Sequence, residues 1–64
     1  MKVIFEGKEF EIEGKTSVKK ILKKFKADEL FYIVIDLKNK RLLTADEQPD
    51  NDTIIEIKKV MSSG

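Results

Sequence analysis

The chain opens with two short segments whose pattern of apolar and polar positions predicts β-strands. Residues 1–5 are apolar and β-branched, which favours a strand. Residues 9–13 alternate, with Phe10 and Ile12 on one side and glutamates on the other, as in a half-buried strand. Gly7 lies between the two segments and suits a tight turn. The pattern therefore predicts an antiparallel hairpin.

A helical pattern follows the hairpin. Four apolar side chains recur at i, i+3, i+4 and i+7 and define one face: Val18, Ile21, Leu22 and Phe25. Five lysines occupy the remainder of the segment: Lys19, Lys20, Lys23, Lys24 and Lys26. Thr16 or Ser17 offers a hydroxyl that caps the start. We expect the helix to end between Lys26 and Glu29.

The second half of the chain returns to strand patterns. Residues 31–36 are nearly all apolar, as in a strand with neighbours on both sides. Residues 41–43 suit a short returning strand, and the polar residues 44–52 a loop. Residues 53–59 alternate again and predict the last strand.

The order of these elements predicts an α+β domain over residues 1–59, followed by a flexible tail over residues 60–64. A helix that follows a hairpin has to cross the sheet before the chain re-enters it. The first and last strands then lie side by side and parallel in the middle of the sheet. This is the β-grasp (ubiquitin-like) fold, a mixed four- to five-stranded sheet with one helix packed on one face.

Composition narrows the range of functions. The 64 residues include no Cys and no His, which removes disulfides, the usual zinc ligands and the common base–nucleophile pairs. We therefore expect no enzyme activity, no cofactor and no metal. The net charge is only +1, and the longest apolar run, residues 30–35, is far shorter than the roughly 20 residues of a membrane span. We expect a cytoplasmic monomer without a membrane partner.

With this fold, the chain resembles the small β-grasp sulfur carriers (ThiS/MoaD-like) and the related archaeal ubiquitin-like modifiers. These include the thiamine sulfur carrier and the small subunit of molybdopterin synthase. The resemblance covers the whole chain and rests on four pieces of sequence in order: GKEF at 7–10, TSVKKIL at 16–22, DNDTIIEI at 50–57 and VMSSG at 60–64.

The resemblance implies a function for the C-terminal segment. In the family, an E1-like adenylating enzyme activates the terminal glycine carboxylate with ATP, and the product becomes a thiocarboxylate or a conjugate. Here that residue is Gly64, and Ser62 and Ser63 are presented to the partner with it. Ser63 stands where the family has a second glycine. The further partners implied are a sulfur-accepting synthase of thiamine or molybdopterin biosynthesis, or a target protein.

Two other surfaces and one alternative function remain open. The sheet face away from the helix is expected to carry an apolar partner surface of Ile4, Tyr32, Val34 and Ile54, although Tyr32 and Val34 also suit ordinary half-buried strand positions. The helix lysines could contact RNA, but the balancing acids and the lack of interleaved aromatics favour a solvated face. The alternative function is a non-conjugating β-grasp interaction module, a carrier that lacks Gly-Gly.

Overall fold

The computed structural model describes residues 1–13 and 15–60, which form one α-helix and one five-stranded mixed sheet. The elements in chain order are β1 (Lys2–Phe5), β2 (Lys8–Glu11), α1 (Val18–Lys24), β3 (Tyr32–Asp36), β4 (Arg41–Leu43) and β5 (Ile54–Lys59). The short strand expected at residues 41–43 is present. Gly14 and residues 61–64 lie outside the described part of the chain.

The strands are arranged in the order β2-β1-β5-β3-β4. β1 and β5 are parallel, whereas β1–β2, β3–β5 and β3–β4 are antiparallel. The expected parallel pairing of the first and last strands in the middle of the sheet is therefore confirmed. β3 has a neighbour on each side, which agrees with its apolar sequence.

The β1–β2 hairpin is closed by a two-residue loop. Phe5 pairs with Lys8, and the intervening Glu6 and Gly7 have φ values of 52° and 77°. Positive φ at both loop residues is the pattern of a type I′ turn, whose twist matches that of paired strands. The expectation that the second strand runs to residue 13 is wrong, because β2 ends at Glu11.

The start of α1 is fixed by one side chain and by a distant loop. The Ser17 hydroxyl accepts a hydrogen bond from the Lys20 amide at 3.3 Å, so Ser17 is the N-cap rather than Thr16. The amides of Val18 and Lys19 donate to the carbonyls of Glu47 and Ala45 at 2.9 and 2.8 Å. These three amides have no partner within the helix, and the cap and loop satisfy them.

The helix ends earlier than expected, at Lys24, with Phe25 as its C-cap. Lys26 adopts φ 55°, and its amide donates to the Lys23 carbonyl at 3.1 Å. The Ala27 amide donates to the Leu22 carbonyl at 2.9 Å. These two bonds define a Schellman motif, with a lysine in the left-handed position that glycine usually occupies.

The core lies between α1 and one face of the sheet. Its members are Met1, Val3, Ile12, Val18, Ile21, Leu22, Ala27, Val34, Ile55 and Ile57. The predicted apolar face of the helix is confirmed for its first three members, whereas Phe25 is only partly buried at the core's edge. Within residues 1–13 and 15–60, no helix has the length and apolar character needed to cross a bilayer.

Candidate functional site

The residues predicted to carry the chemistry, Ser62, Ser63 and Gly64, lie outside the described residues, but the point from which they continue is well defined. β5 pairs with β3 as far as Lys59, which lies opposite Tyr32. The Val60 amide then donates to the Phe31 carbonyl at 2.7 Å. Val60 was assigned to the tail on sequence, yet this bond ties it to the residue that precedes β3.

A hydrogen-bonded turn shapes the surface beside Val60. The Asp28 carboxylate accepts a bond from the Leu30 amide at 2.9 Å, and the Asp28 carbonyl accepts bonds from the amides of Phe31 and Tyr32 at 2.9 and 3.0 Å. The turn therefore fixes the backbone of Leu30. The Leu30 side chain is nevertheless 81% exposed, a large apolar group held in solvent by a defined backbone.

Three exposed apolar residues lie at this end of the sheet, and we call them the root patch: Leu30, Phe31 and Val60. Phe31 and Val60 are each 45% exposed. Together with Tyr32 and Lys59, these two residues also line a shallow groove of about 260 Å³. The sequence interpretation missed the patch because it assigned Phe31 to a strand over residues 31–36 and counted Leu30 only as the start of the apolar run 30–35.

Aromatic side chains pack against one another at the same end of the sheet. The Phe5 ring lies 5.9 Å from the Tyr32 ring and 5.2 Å from the Phe25 ring, measured between centroids. Phe25 in turn meets Phe10 edge-on at 5.0 Å. Tilted and edge-to-face pairs at these distances add to the energy of area burial. Four aromatic side chains thus connect the hairpin, the helix end and the start of β3.

The expected facing is wrong for two of the four residues of the predicted partner surface. Tyr32 and Val34 lie on the face of β3 that the helix covers, because Val34 pairs in register with the buried Ile57 and residues opposite one another share a face. Val34 is only 3% exposed, and Tyr32 packs against the core. Alternation along the strand places Ile33 and Ile35 on the other side.

The uncovered face of the sheet does contain the other two predicted residues, Ile4 and Ile54. Both are half-buried and alternate along their strands with core residues. We call this surface the open face, and its apolar members are Ile4, Ile33, Ile35, Ile54 and Leu42. Leu42 is 60% exposed on the edge strand β4. Charged residues interrupt the face, since Ile4 pairs with Glu56 and Ile33 with Lys58.

The loop that follows β4 is held by one ion pair. Glu47 accepts bonds from the Arg41 guanidinium at 2.6 Å and from the Thr44 amide at 2.7 Å. The bond from Arg41, followed by the bond from the Thr44 amide, lowers the pKa of Glu47 from 4.5 to about 2. Because the same loop supplies carbonyls to the start of α1, this pair has a structural role that reaches the helix.

A second carboxylate stabilises the β3–β4 turn. Asp36 accepts bonds from the Asn39 side chain at 2.8 Å and from the amides of Lys38 and Asn39 at 3.0 and 3.1 Å. The Asn39 side chain is the main reason that the pKa of Asp36 is lowered. Among residues 1–13 and 15–60, no three His, Cys, Asp or Glu side chains are placed to hold a metal ion.

The lysines of α1 are exposed, but acidic side chains lie next to them. Lys19 and Lys23 line a hollow of about 190 Å³ that also contains Asp28 and Glu29. A uniformly basic surface would suit the phosphates of nucleic acid, whereas alternating signs suit solvation. The arrangement therefore favours a solvated face here.

A comparison of the sequence with protein-family models gives no match, and a comparison with curated proteins gives none either.

Proposed function

We propose that the chain is a ubiquitin-like sulfur carrier or modifier, whose Gly64 carboxylate is adenylated by an E1-like enzyme and converted to a thiocarboxylate or a conjugate. The sheet order, the parallel β1–β5 pair and the single helix are compatible with a β-grasp fold and so support the proposal. The observation that carries it is the position of Val60. The central strand brings the chain to the surface there, four residues before Gly64.

The chemistry needs little from the carrier itself. A carboxylate is a poor acyl donor, because its oxygen leaves badly until adenylation turns it into a mixed anhydride with AMP. The partner supplies the ATP site, and the carrier supplies an accessible carboxyl group. The chain has no Cys, so no side chain can hold sulfur as a persulfide. A main-chain thiocarboxylate is then the group that is able to carry it.

The reach of the tail is consistent with this role. Residues 61–64 span about 13 Å when extended, at roughly 3.3 Å per residue. That length lets the carboxyl group enter a partner's channel while the folded domain stays outside. Ser63 has a Cβ and a narrower range of backbone angles than glycine. We therefore expect Ser63→Gly to be activated at least as well as the natural chain.

Intact mass spectrometry tests the proposal. The chain is incubated with the E1-like enzyme of its source organism, ATP and a sulfide donor. A thiocarboxylate appears as the mass gain from replacing one oxygen by sulfur. Deletion of Gly64 is the matched control, since it leaves every described residue in place. Absence of the gain in both the natural chain and Ser63→Gly would contradict the proposal.

The open face favours a second candidate, a non-conjugating interaction module. Its five apolar side chains form a surface that could bind a partner without any chemistry at the tail. Removal of Ser63 and Gly64 separates the two candidates. A module keeps its partner after the truncation but loses it after Ile35→Asp, whereas a carrier loses its function with the truncation.

A further inference from the structure

The open face has an acid, a base and two isoleucines at its centre. In β5, Glu56 and Lys58 point to this face, because they alternate with the buried residues of the strand. In β3, Ile33 and Ile35 point the same way, and the register places Ile33 beside Lys58 and Ile35 beside Glu56. We call these four residues the central block. It consists of two neighbouring rows, one with the acid and one with the base.

The two charges of the central block have no ion-pair partner in their own domain. None of the ion pairs formed within residues 1–13 and 15–60 includes Glu56 or Lys58. Glu56 is half-buried between apolar neighbours, since it pairs with Ile4 on one strand and Ile35 on the other. A charge that is partly removed from water interacts more strongly with an opposite charge. A partner that covers the open face should therefore bring a cation to Glu56 and an anion to Lys58.

A second copy of this chain has both charges at the required spacing. Consider a two-fold axis that runs parallel to the sheet, perpendicular to its strands, and passes midway between Glu56 and Lys58. It turns one open face onto another and places Lys58 of the copy over Glu56, and Glu56 of the copy over Lys58. The register makes the same axis pass midway between Ile33 and Ile35, so Ile33 of the copy lies over Ile35. Each contact then forms twice, as two-fold symmetry requires.

The match continues outside the central block. At one end of the strand pair the Leu37 amide donates to the Ile54 carbonyl at 2.9 Å, and at the other the Val60 amide donates to the Phe31 carbonyl at 2.7 Å. These four apolar residues lie two positions outward from the block, so alternation puts them on the same side, and all are exposed or half-buried. The axis places Val60 of the copy over Ile54, and Phe31 of the copy over Leu37. Apolar residues therefore cover apolar residues.

The size of the face determines how strongly two copies associate. Five strands about 4.8 Å apart give a width of about 24 Å, and the six residues of β5 give a length of about 20 Å. Each copy then contributes about 480 Å², and the two together about 1,000 Å², which is the lower limit for a specific interface. We therefore expect reversible association with a Kd of about 10–100 µM.

We propose that the chain forms a two-fold dimer through its open faces, in which Glu56 and Lys58 of each copy pair with Lys58 and Glu56 of the other. Sheets that pack face to face lie about 10 Å apart, and the side chains of both faces fill this space. The dimer differs from the monomer that the sequence led us to expect. It is independent of the proposed function, because it involves no chemistry at Gly64.

Sedimentation equilibrium of the full chain, between about 10 µM and 1 mM, tests the dimer. The natural chain should change from its monomer mass of 7.4 kDa to twice that mass as the concentration rises. Glu56→Lys and Lys58→Glu each turn both ion pairs into like-charge contacts, so each should raise Kd at least about tenfold. Lys24→Glu is the matched control for Lys58→Glu, because it makes the same change of charge on the exposed side of α1 and should leave Kd unchanged.

Exchange of the two charges distinguishes this dimer from non-specific association. An equimolar mixture of Glu56→Lys and Lys58→Glu should regain the dimer, because every lysine of one chain then faces a glutamate of the other. The double variant with both substitutions should dimerise by itself. Recovery of the dimer also shows that the variants are folded. The proposal is refuted if the natural chain stays monomeric at about 1 mM, or if the single reversals leave Kd unchanged. Failure of both the mixture and the double variant to associate likewise refutes it.

Discussion

Substitution of Lys26 by glycine should stabilise the protein, although it removes a side chain and adds backbone freedom. Lys26 adopts φ 55° in the Schellman motif that ends α1. For an L-residue this conformation costs about 1–2 kcal/mol, because its Cβ crowds the following carbonyl oxygen. Glycine has no Cβ and adopts the conformation freely.

The expected size of the effect follows from two opposing terms. Relief of the left-handed strain contributes about 1–2 kcal/mol. The greater freedom of glycine in the unfolded chain offsets about 0.4–1 kcal/mol of this. The net gain should be about 0.5–1 kcal/mol, which corresponds to a rise of about 3–6 °C in Tm for a domain of this size.

The same substitution two residues earlier should have the opposite sign. Lys24 is the last residue of α1 and is also exposed, so Lys24→Gly loses helix propensity of about 0.8–1 kcal/mol without relieving strain. Urea unfolding followed by far-UV circular dichroism measures both variants. We expect the midpoint to rise for Lys26→Gly and fall for Lys24→Gly, with a constant slope m. A fall in both would refute the left-handed assignment at Lys26.

Three further outcomes follow from the contacts described above. Glu6→Asn should raise the free energy of unfolding by about 0.5–1 kcal/mol, because Asn-Gly suits the type I′ loop better than Glu-Gly; urea unfolding measures it. The stabilisation due to Glu47 should be complete above pH 4.5 and lost as the pH falls to about 2, since its folded-state pKa is lowered. When Tm is measured against pH, the difference in Tm between the natural chain and Glu47→Gln should shrink as the pH falls through that window. A difference in Tm that does not change with pH would contradict the role of the ion pair with Arg41. Val34→Ala should cost about 2 kcal/mol and clearly more than Ile33→Ala, because only Val34 is buried; equal losses in urea unfolding would contradict the assigned faces of β3.

Periodicity and turn chemistry predicted the order and type of the elements in the described residues, although they left open whether the short strand β4 would form. Alternation at Ile55 and Ile57 identified the buried side of β5, and the i, i+3, i+4 spacing identified the buried side of α1. These signals suffice because one face of each element is polar. They also led to the pairing of the first strand with the last, since a helix between them leaves few other arrangements.

The alternation pattern could not show which side of β3 faces the helix. Its sequence is apolar at Tyr32, Ile33, Val34 and Ile35, so alternation is absent and either side could face the helix. The register with β5 decides the question, and register depends on contacts between residues far apart in sequence. The expected facing was therefore correct for Ile4, which follows the buried Val3, and wrong for Val34, which is buried under the helix.

The root patch illustrates a different limit. Leu30 and Phe31 extend the apolar run of β3, and the sequence pattern assigned Phe31 to that strand and gave Leu30 no separate role. The structure instead gives Asp28 the role of a turn-forming residue, which leaves Leu30 in solvent. An aspartate two residues before the exposed leucine was the available signal, because Asp side chains commonly accept a bond from the amide two positions on.

The proposed carrier function depends on activation of one carboxyl group, that of Gly64. The most direct test is the intact mass of the natural chain and of Ser63→Gly after incubation with the E1-like enzyme, ATP and a sulfide donor. We predict the oxygen-to-sulfur mass gain in both proteins, its absence when Gly64 is deleted, and its location in the C-terminal peptide after proteolysis. An unchanged mass for both full-length proteins, under conditions that convert an established carrier, would contradict the account.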